Sequence, residues 1–222
     1  RTLYAKLQEE QIDHEIVVIN DNSKDNTLGL LTTIQQTIPS LVVHTNHGPN
    51  GFGYAIRYGL ERFQGDCVAI MMSDLSDDPA DLVAFYRKMV AENLDCVFGS
   101  RFIRGGATYD YPKHKYLINR FANTLIRLLL GMSYNDSTNA FKLYKKSTIL
   151  GLKPFLSAHF NLTIELPLKA IIRGYSYGVL PNSWRNRKAG ESNLKIKEMG
   201  SRYLFILLYV IIEKYLSRND YL

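Results

Sequence analysis

The sequence predicts an α/β fold: a mostly parallel sheet flanked by helices, followed by a C-terminal amphipathic helix. Three observations lead there. Apolar, β-branched runs at residues 15–20, 41–45, 67–72 and 95–99 each end in polar turn residues. Segments with helical spacing separate them. The connections are short, which suits alternating strands and helices with both sheet faces covered. In order, residues 15–20 read as a strand and 24–36 as a helix. Residues 41–45 form the next strand. In 51–63, Phe52, Ala55, Ile56, Gly59, Leu60 and Phe63 share one helical face. Strand 67–72, helix 81–91 and strand 95–99 follow, with right-handed crossovers expected. After Ser100 the pattern changes. Residues 116–130 form a long helix with Leu117, Phe121, Leu125 and Leu128 as apolar positions. A short strand at 139–144, a helix at 161–173 and a strand at 175–180 come next. Residues 199–216 form an intensely apolar helix, interrupted by Glu213 and Lys214 and so too short to span a bilayer.

The chain has 222 residues and is 46% hydrophobic, enough for one sizeable core. Its net charge of +6 comes from basic residues interleaved with apolar ones. That favours an anionic small ligand or a membrane surface over nucleic acid. No zinc-finger spacing, helix-turn-helix signature or RNA-binding aromatic motif is visible. Cys67 and Cys96 lie in strand-like runs and read as buried, reduced thiols, which suits a reducing compartment. There is no visible signal peptide. The chain opens on Arg1 and not on Met, so its true N-terminus is expected to lie upstream.

The chemistry gathers at the strand ends. The run Val68, Ala69, Ile70, Met71, Met72 stops at Ser73 and Asp74, and Asp77 and Asp78 precede Pro79. Ligands bind at the C-terminal ends of strands in open α/β sheets. A hard divalent cation is held there by one or two carboxylates plus substrate phosphates. The competing reading makes Asp77 or Asp78 the N-cap of the next helix. Asp21 and Asn22 follow the first strand, and Asp25 reads equally as a turn residue. Gly51 and Gly53 follow the second, before a helix whose N-terminus suits an anion. Arg101 follows the fourth. Together they suit a nucleoside diphosphate. The lack of Gly-x-Gly-x-x-Gly and Gly-Lys-Ser/Thr argues against dinucleotide and P-loop binding.

The ordered set resembles family 2 glycosyltransferases with the GT-A fold, and within them the polyprenyl-phosphate glycosyltransferases of the dolichyl-phosphate mannose synthase type. The segment from Val17 to Thr27 resembles the family's nucleotide-binding segment, and Asn50 to Ala55 its Gly-rich turn. Gly99-Ser100-Arg101-Phe102 with Gly105-Gly106 resembles the segment after its fourth strand. Asp136-Ser137-Thr138-Asn139-Ala140-Phe141-Lys142 resembles its Asp-x-Thr-x-x-Phe-Arg/Lys motif. Trp184 to Asn193 resembles the basic loop that folds over the donor. The likeness runs from Glu15 to about Tyr203. It implies a Rossmann-like catalytic domain over residues 1–195 and a membrane-associated apolar helix over 196–222. The family's first strand is then expected before Arg1, with residues 2–10 as the helix following it.

The resemblance implies inverting transfer of a sugar from a nucleoside-diphosphate sugar to a polyprenyl phosphate, with Mg2+ or Mn2+ as cofactor. Asp21, Asn22, Gly51, Gly53, Ser73, Asp74, Arg185, Arg187 and Lys188 would bind the nucleotide sugar. Asp74 and Ser76 would hold the metal, with Asp77 as a further oxygen source. Asp136 and Arg101 would act at the catalytic centre, and Arg101 and Arg120 would hold the acceptor phosphate by the guanidinium fork. Glu165 is secondary, either structural or lining the acceptor site. One departure stands out. The family's metal motif is usually Asp-x-Asp, but here Met72 replaces the first carboxylate, and a thioether suits a hard cation poorly. The implied location is the cytoplasmic side of a membrane, peripheral or monotopic, with Arg202, Lys214 and Arg218 at the headgroups. A soluble glycan or protein acceptor, and a non-catalytic nucleotide-sugar-binding module, are the competing readings. The oligomeric state is left open, a homo-oligomer included.

Overall fold

A computed structural model describes residues 1–186 and 196–217. The first part alternates helix and strand: α1 (Thr2–Glu9), β1 (Ile16–Asn20), α2 (Thr27–Gln35), β2 (Leu41–Thr45), α3 (Phe52–Leu60), β3 (Cys67–Ile70), α4 (Pro79–Ala91) and β4 (Cys96–Ser100). The second part holds β5 (Ala107–Tyr109), α5 (Lys113–Leu130), β6 (Lys142–Lys145), α6 (Lys146–Gly151), α7 (Leu162–Ile172), β7 (Tyr177–Pro181), β8 (Ser183–Arg185) and α8 (Ile196–Leu216).

The single sheet expected from the sequence is divided into separate ladders. β1 and β2 pair in parallel. The central ladder has the order β3-β6-β4-β7, and β5 pairs with β8. β4 and β7 are parallel, whereas β6 runs antiparallel to both β3 and β4. The late strand β6 therefore wedges between two early strands. It carries the Asp136-to-Lys142 segment across their C-terminal ends.

Period-2 alternation assigns the two faces of the central ladder. Cys96, Phe98 and Tyr144 face a core with α3, α6 and α7 residues such as Leu60, Ile149, Leu162 and Leu166. Val97 and Leu143 face the opposite core, made with Leu82, Val83, Phe85 and Met89 of α4 and Leu7 of α1. A third core joins Ile126 and Leu130 of α5, Ile164 and Leu168 of α7, and Ile206, Leu207 and Val210 of α8. α8 is thus an integral part of the domain's packing.

α7 is buried from Leu162 to Ala170 and so must satisfy its charges internally. Glu165 accepts from the Leu156 and Ser157 amides at 2.8 and 2.7 Å and from Lys169 Nζ at 2.7 Å. That makes Glu165 structural. At the helix end, Arg173 Nε and Nη2 donate to the two oxygens of Glu213 on α8 at 2.5 and 3.0 Å. Lys142 is buried at the start of β6. Its Nζ donates to the carbonyls of Ser137 and Thr163 at 3.2 and 3.3 Å. Burial pulls its pKa down to about 7, against the opposing pull of Asp136.

Two outcomes follow from these buried charges. Glu213→Ala leaves Arg173 buried without its carboxylate and should cost about 3–5 kcal/mol in urea unfolding. A loss under about 1 kcal/mol would show that the pair is not desolvated as described. For Lys142, the folded pKa of about 7 lies below the ordinary value of 10.5. The native state therefore releases this proton before the unfolded chain does, and stability rises with pH across that window. Wild type should gain in melting temperature over Lys142→Met as pH rises from 7 towards 10. A difference that stays flat would contradict the depressed lysine.

Candidate active site

The first two strand ends are knotted together by one carboxylate. Asp21 accepts from Asn46 Nδ2 at 2.8 Å and from the Gly51 amide at 2.7 Å, tying the end of β1 to β2 and to the Gly-rich turn. Asn22 takes the left-handed conformation that asparagine tolerates, with φ 57°, and donates to Asn50 Oδ1 at 2.5 Å. Gly51 has φ 146°, which favours glycine. A Cβ at Gly53 would lie 2.4 Å from the Ala158 carbonyl carbon, so only glycine lets α3 start against the loop before α7. Phe52 and Phe160 stack at 4.2 Å across the same contact. Asp25 accepts from the Thr27 amide and hydroxyl, as a turn residue does.

The acidic turn after β3 separates its carboxylates by role. Asp74 Oδ1 accepts from the Ser76 amide at 3.1 Å. Leu75, exposed between them, holds φ 60°, a left-handed conformation costly for leucine. Ser73 is exposed on the same turn, while Ser76 is buried, and its Oγ has no hydrogen-bond partner among the described residues. Asp78 is the N-cap of α4, accepting from the Ala80 amide at 2.9 Å. Asp77 is not a cap. It is buried, and its Oδ2 accepts from the Met72 amide at 3.4 Å. Burial raises its pKa to about 6, Asp74 adding to the rise and the Met72 amide opposing it. Sequence reasoning left Asp77 or Asp78 as the cap, with Asp77 also a possible oxygen source for a metal. A helix has one N-cap, and the bridge between Asp77 and Trp184 turns Asp77 inward instead.

These donors fit a hard cation in chemistry but not alone in number. Asp74, Asp77 and the unpartnered Ser76 Oγ are all oxygens, and Asp77 lies against the backbone of Met72, where the family's carboxylate is lost. Among the described residues, no three His, Cys, Asp or Glu side chains are grouped to hold a metal. A cation here would draw its remaining ligands from substrate phosphates and water.

The basic segment reaches this turn. The Arg185 amide donates to the Ser76 carbonyl at 3.0 Å, and its guanidinium lies 4.6 Å from the Tyr109 ring centre. Arg185, Ser183 and Tyr109 line a pocket of about 280 Å³ with Ser76, Asp77 and Asp78. Thr108 and Asp110 line a second pocket, of about 450 Å³, with Tyr111, Lys113, Tyr116 and Leu117 of the α5 side. Arg187 and Lys188 lie outside the described residues.

After β4, Arg101 and Asp136 form a buried pair. Arg101 Nε donates to Asp136 Oδ2 at 2.9 Å and Nη2 to Oδ1 at 2.7 Å, and the Arg101 amide adds a bond to Oδ2 at 2.9 Å. Burial disfavours the guanidinium charge, but Asp136 more than offsets this and raises the Arg101 pKa above its ordinary value. The bidentate fork expected to meet an acceptor phosphate is therefore turned to Asp136. Tyr134 OH donates to the carbonyls of Gly99 and Asp136 at 2.9 and 2.7 Å, fixing the two chain segments. Arg120 lies 4.7 Å from the Phe102 ring centre and Arg101 lies 5.1 Å from it, so the ring brings the two guanidinium groups together. Sequence reasoning passed over Asn119 and Asn123 of α5, which bond to Thr138 beside this pair. The signal was present: two asparagines four residues apart inside an apolar helical pattern.

Residues 1–150 match the family described as Glycosyl transferase family 2. The chain is 28% identical to the polyprenol monophosphomannose synthase of Mycolicibacterium smegmatis, over 81% of this chain and 69% of that protein. It is 26% identical to the dolichol-phosphate mannosyltransferase of Pyrococcus furiosus, over 84% of this chain but only 52% of the relative. Among solved structures, it is similar to the glucosyl-3-phosphoglycerate synthase of Mycobacterium tuberculosis in complex with Mn2+, UDP-glucose and phosphoglyceric acid. That likeness has a TM-score of 0.61 at 17% identity, covering 95% of this chain and 75% of the other. The α/β GT-A architecture expected from the sequence is shown. With well over half of its length matched, the chain belongs to glycosyl transferase family 2.

Proposed function

We propose that the chain transfers a sugar, with inversion, from a nucleoside-diphosphate sugar to a polyprenyl phosphate at a membrane surface. The curated relatives' names support a lipid-phosphate acceptor and a mannosyl donor. The observation that carries the reading is the outer face of α5. Leu117, Phe121 and Leu128 are 67, 72 and 69% exposed on the helix that packs beside the Arg101–Asp136 pair. Leu204, Phe205, Leu208 and Ile212 of α8 are exposed as well. Soluble surfaces seldom carry so much contiguous apolar area without a partner. No helix among the described residues is long and apolar enough to cross a membrane; the exposed faces of α5 and α8 would meet the bilayer at its surface. The net positive charge suits an anionic cytoplasmic leaflet.

The nucleophile would be a phosphate oxygen, already ionised near neutral pH, so positioning and charge stabilisation matter more than a strong base. Asp21 and Asn22 hold the nucleoside end through the Gly51–Gly53 turn. Arg185, on the segment that reaches the acidic turn, would face the diphosphate. Asp74, Ser76 and Asp77 would hold a divalent cation, Mg2+ or Mn2+, which when bound neutralises charge on the leaving diphosphate. Arg120, with the part of Arg101 not engaged by Asp136, provides positive charge for the acceptor phosphate. Asp136 keeps Arg101 charged and in place.

Two experiments test this. Asp74→Ala should lower transfer about a hundredfold while leaving the fold intact by circular dichroism. Unchanged turnover would remove the metal assignment. Phe121→Glu with Leu128→Glu should reduce co-sedimentation with anionic liposomes at least about tenfold, since burying each such side chain contributes about 1.5–3 kcal/mol. A wild-type chain indifferent to liposomes, or one that glycosylates only soluble acceptors, would sink the lipid reading.

A further inference from the structure

α5 has two faces of opposite chemistry. Its inward line runs Asn119, Asn123, Ile126 and Leu130, at helical spacing. Asn123 is 1% exposed. A buried amide in mid-helix is costly unless its hydrogen bonds are made, and an apolar residue would pack there without that demand. Here the amide is well used. Asn123 Nδ2 donates to Thr138 Oγ1, Asn119 Oδ1 and the Asn119 carbonyl, each at 2.9 Å. Asn123 Oδ1 accepts from the Thr138 amide at 3.2 Å. Thr138 Oγ1 donates to Asn119 Oδ1 at 2.5 Å and accepts from Arg101 Nη2 at 3.4 Å. Thr138 thus touches the charge centre on one side and the inward face of α5 on the other.

We infer that Asn123 and Thr138 are positioning residues that clamp α5 onto the Arg101–Asp136 pair, holding an acceptor's apolar tail and its phosphate in one register. The inference rests on the lipid-phosphate reading of the acceptor. Packing of Ile126 and Leu130 fixes the helix against the core through non-directional contacts. The directional hydrogen bonds of Asn123 and Thr138 add a defined rotation and register to that packing. A fixed helix spares the acceptor the cost of ordering its own site, so loss of the clamp should appear in acceptor affinity.

The test compares Thr138→Val, which keeps the shape and loses the hydroxyl, with Thr138→Ser, which keeps the hydroxyl. Initial rates are measured with a short-chain polyprenyl phosphate as acceptor and GDP-mannose and UDP-glucose as donors. Thr138→Val should raise the acceptor KM about five- to thirtyfold while the donor KM stays within about twofold. Thr138→Ser should restore it. Hydrogen exchange over residues 113–130 of the intact chain reads the clamp without turnover. It should speed up in Thr138→Val and return in Thr138→Ser, with exchange in the central ladder unchanged. Equal changes in both KM values, no rescue by serine, or unaltered exchange in α5 would overturn the clamp. If wild type acts only on soluble acceptors, the acceptor reading fails separately, and the exchange data still decide whether α5 is clamped.

Discussion

The buried ion pair of Arg101 and Asp136 joins two chain segments that are 35 residues apart and gives the site its frame. Arg101 leaves the end of β4, and Asp136 lies just before β6. Because β6 is inserted antiparallel between β3 and β4, the pair sits where three strand ends converge. Asp136 accepts three bonds from Arg101 alone, and Tyr134 fastens its carbonyl to that of Gly99. Buried pairs of this kind add little net stability over an apolar replacement, yet removing one partner strands a charge. Their contribution is a single geometry. Here it fixes the chain segments that carry Thr138 and Arg120's neighbour Phe102.

The charges beneath the site are balanced by separation as much as by pairing. Arg101 and Lys142 feel Asp136, and Asp77 also acts on Lys142. Lys142 donates to two carbonyls, and its charged form is disfavoured by burial. Asp77 is likewise pushed towards its neutral form. Burial thus moves the pKa values of the lysine and the aspartate in opposite directions, each group towards its neutral form.

Much of this was legible in the sequence. The β-branched runs and their turn residues placed the early strands along the chain, because period and punctuation are local signals. Gly51 and Gly53 stood out as a Gly-rich turn before a helix, and the structure supplies the reason in the close approach of Ala158. What stayed hidden depends on the third dimension. The insertion of β6 between β3 and β4 follows from long-range pairing, which no local pattern encodes. Asp77 and Asp78 are neighbours of one type. Only the approach of Trp184 separates a buried carboxylate from an N-cap. Arg101 looked like a free fork, since the carboxylate that engages it lies far along the chain.

The two apolar helices show why polar contacts were needed at all. α8 is apolar nearly all round: Ile206, Leu207 and Val210 face the core, whereas Leu204, Leu208 and Ile212 face out. Burial energy alone hardly distinguishes one setting from the other, because each face offers similar area. Glu213 breaks the tie by pairing with Arg173 of α7, and Lys214 Nζ adds a bond to the Leu130 carbonyl at the end of α5. That carbonyl is one of the unsatisfied groups at a helix C-terminus, where a cation is favoured. α5 is set in the same way by Asn119 and Asn123. In both helices a few buried polar side chains select the rotation. The apolar faces left outside are then a consequence of that selection, held side by side by the shared seam of Ile126, Leu130, Ile206 and Val210. A platform fixed by directional bonds can hold a lipid chain at a set distance from Arg101. One fixed by greasy contact alone would let that distance drift.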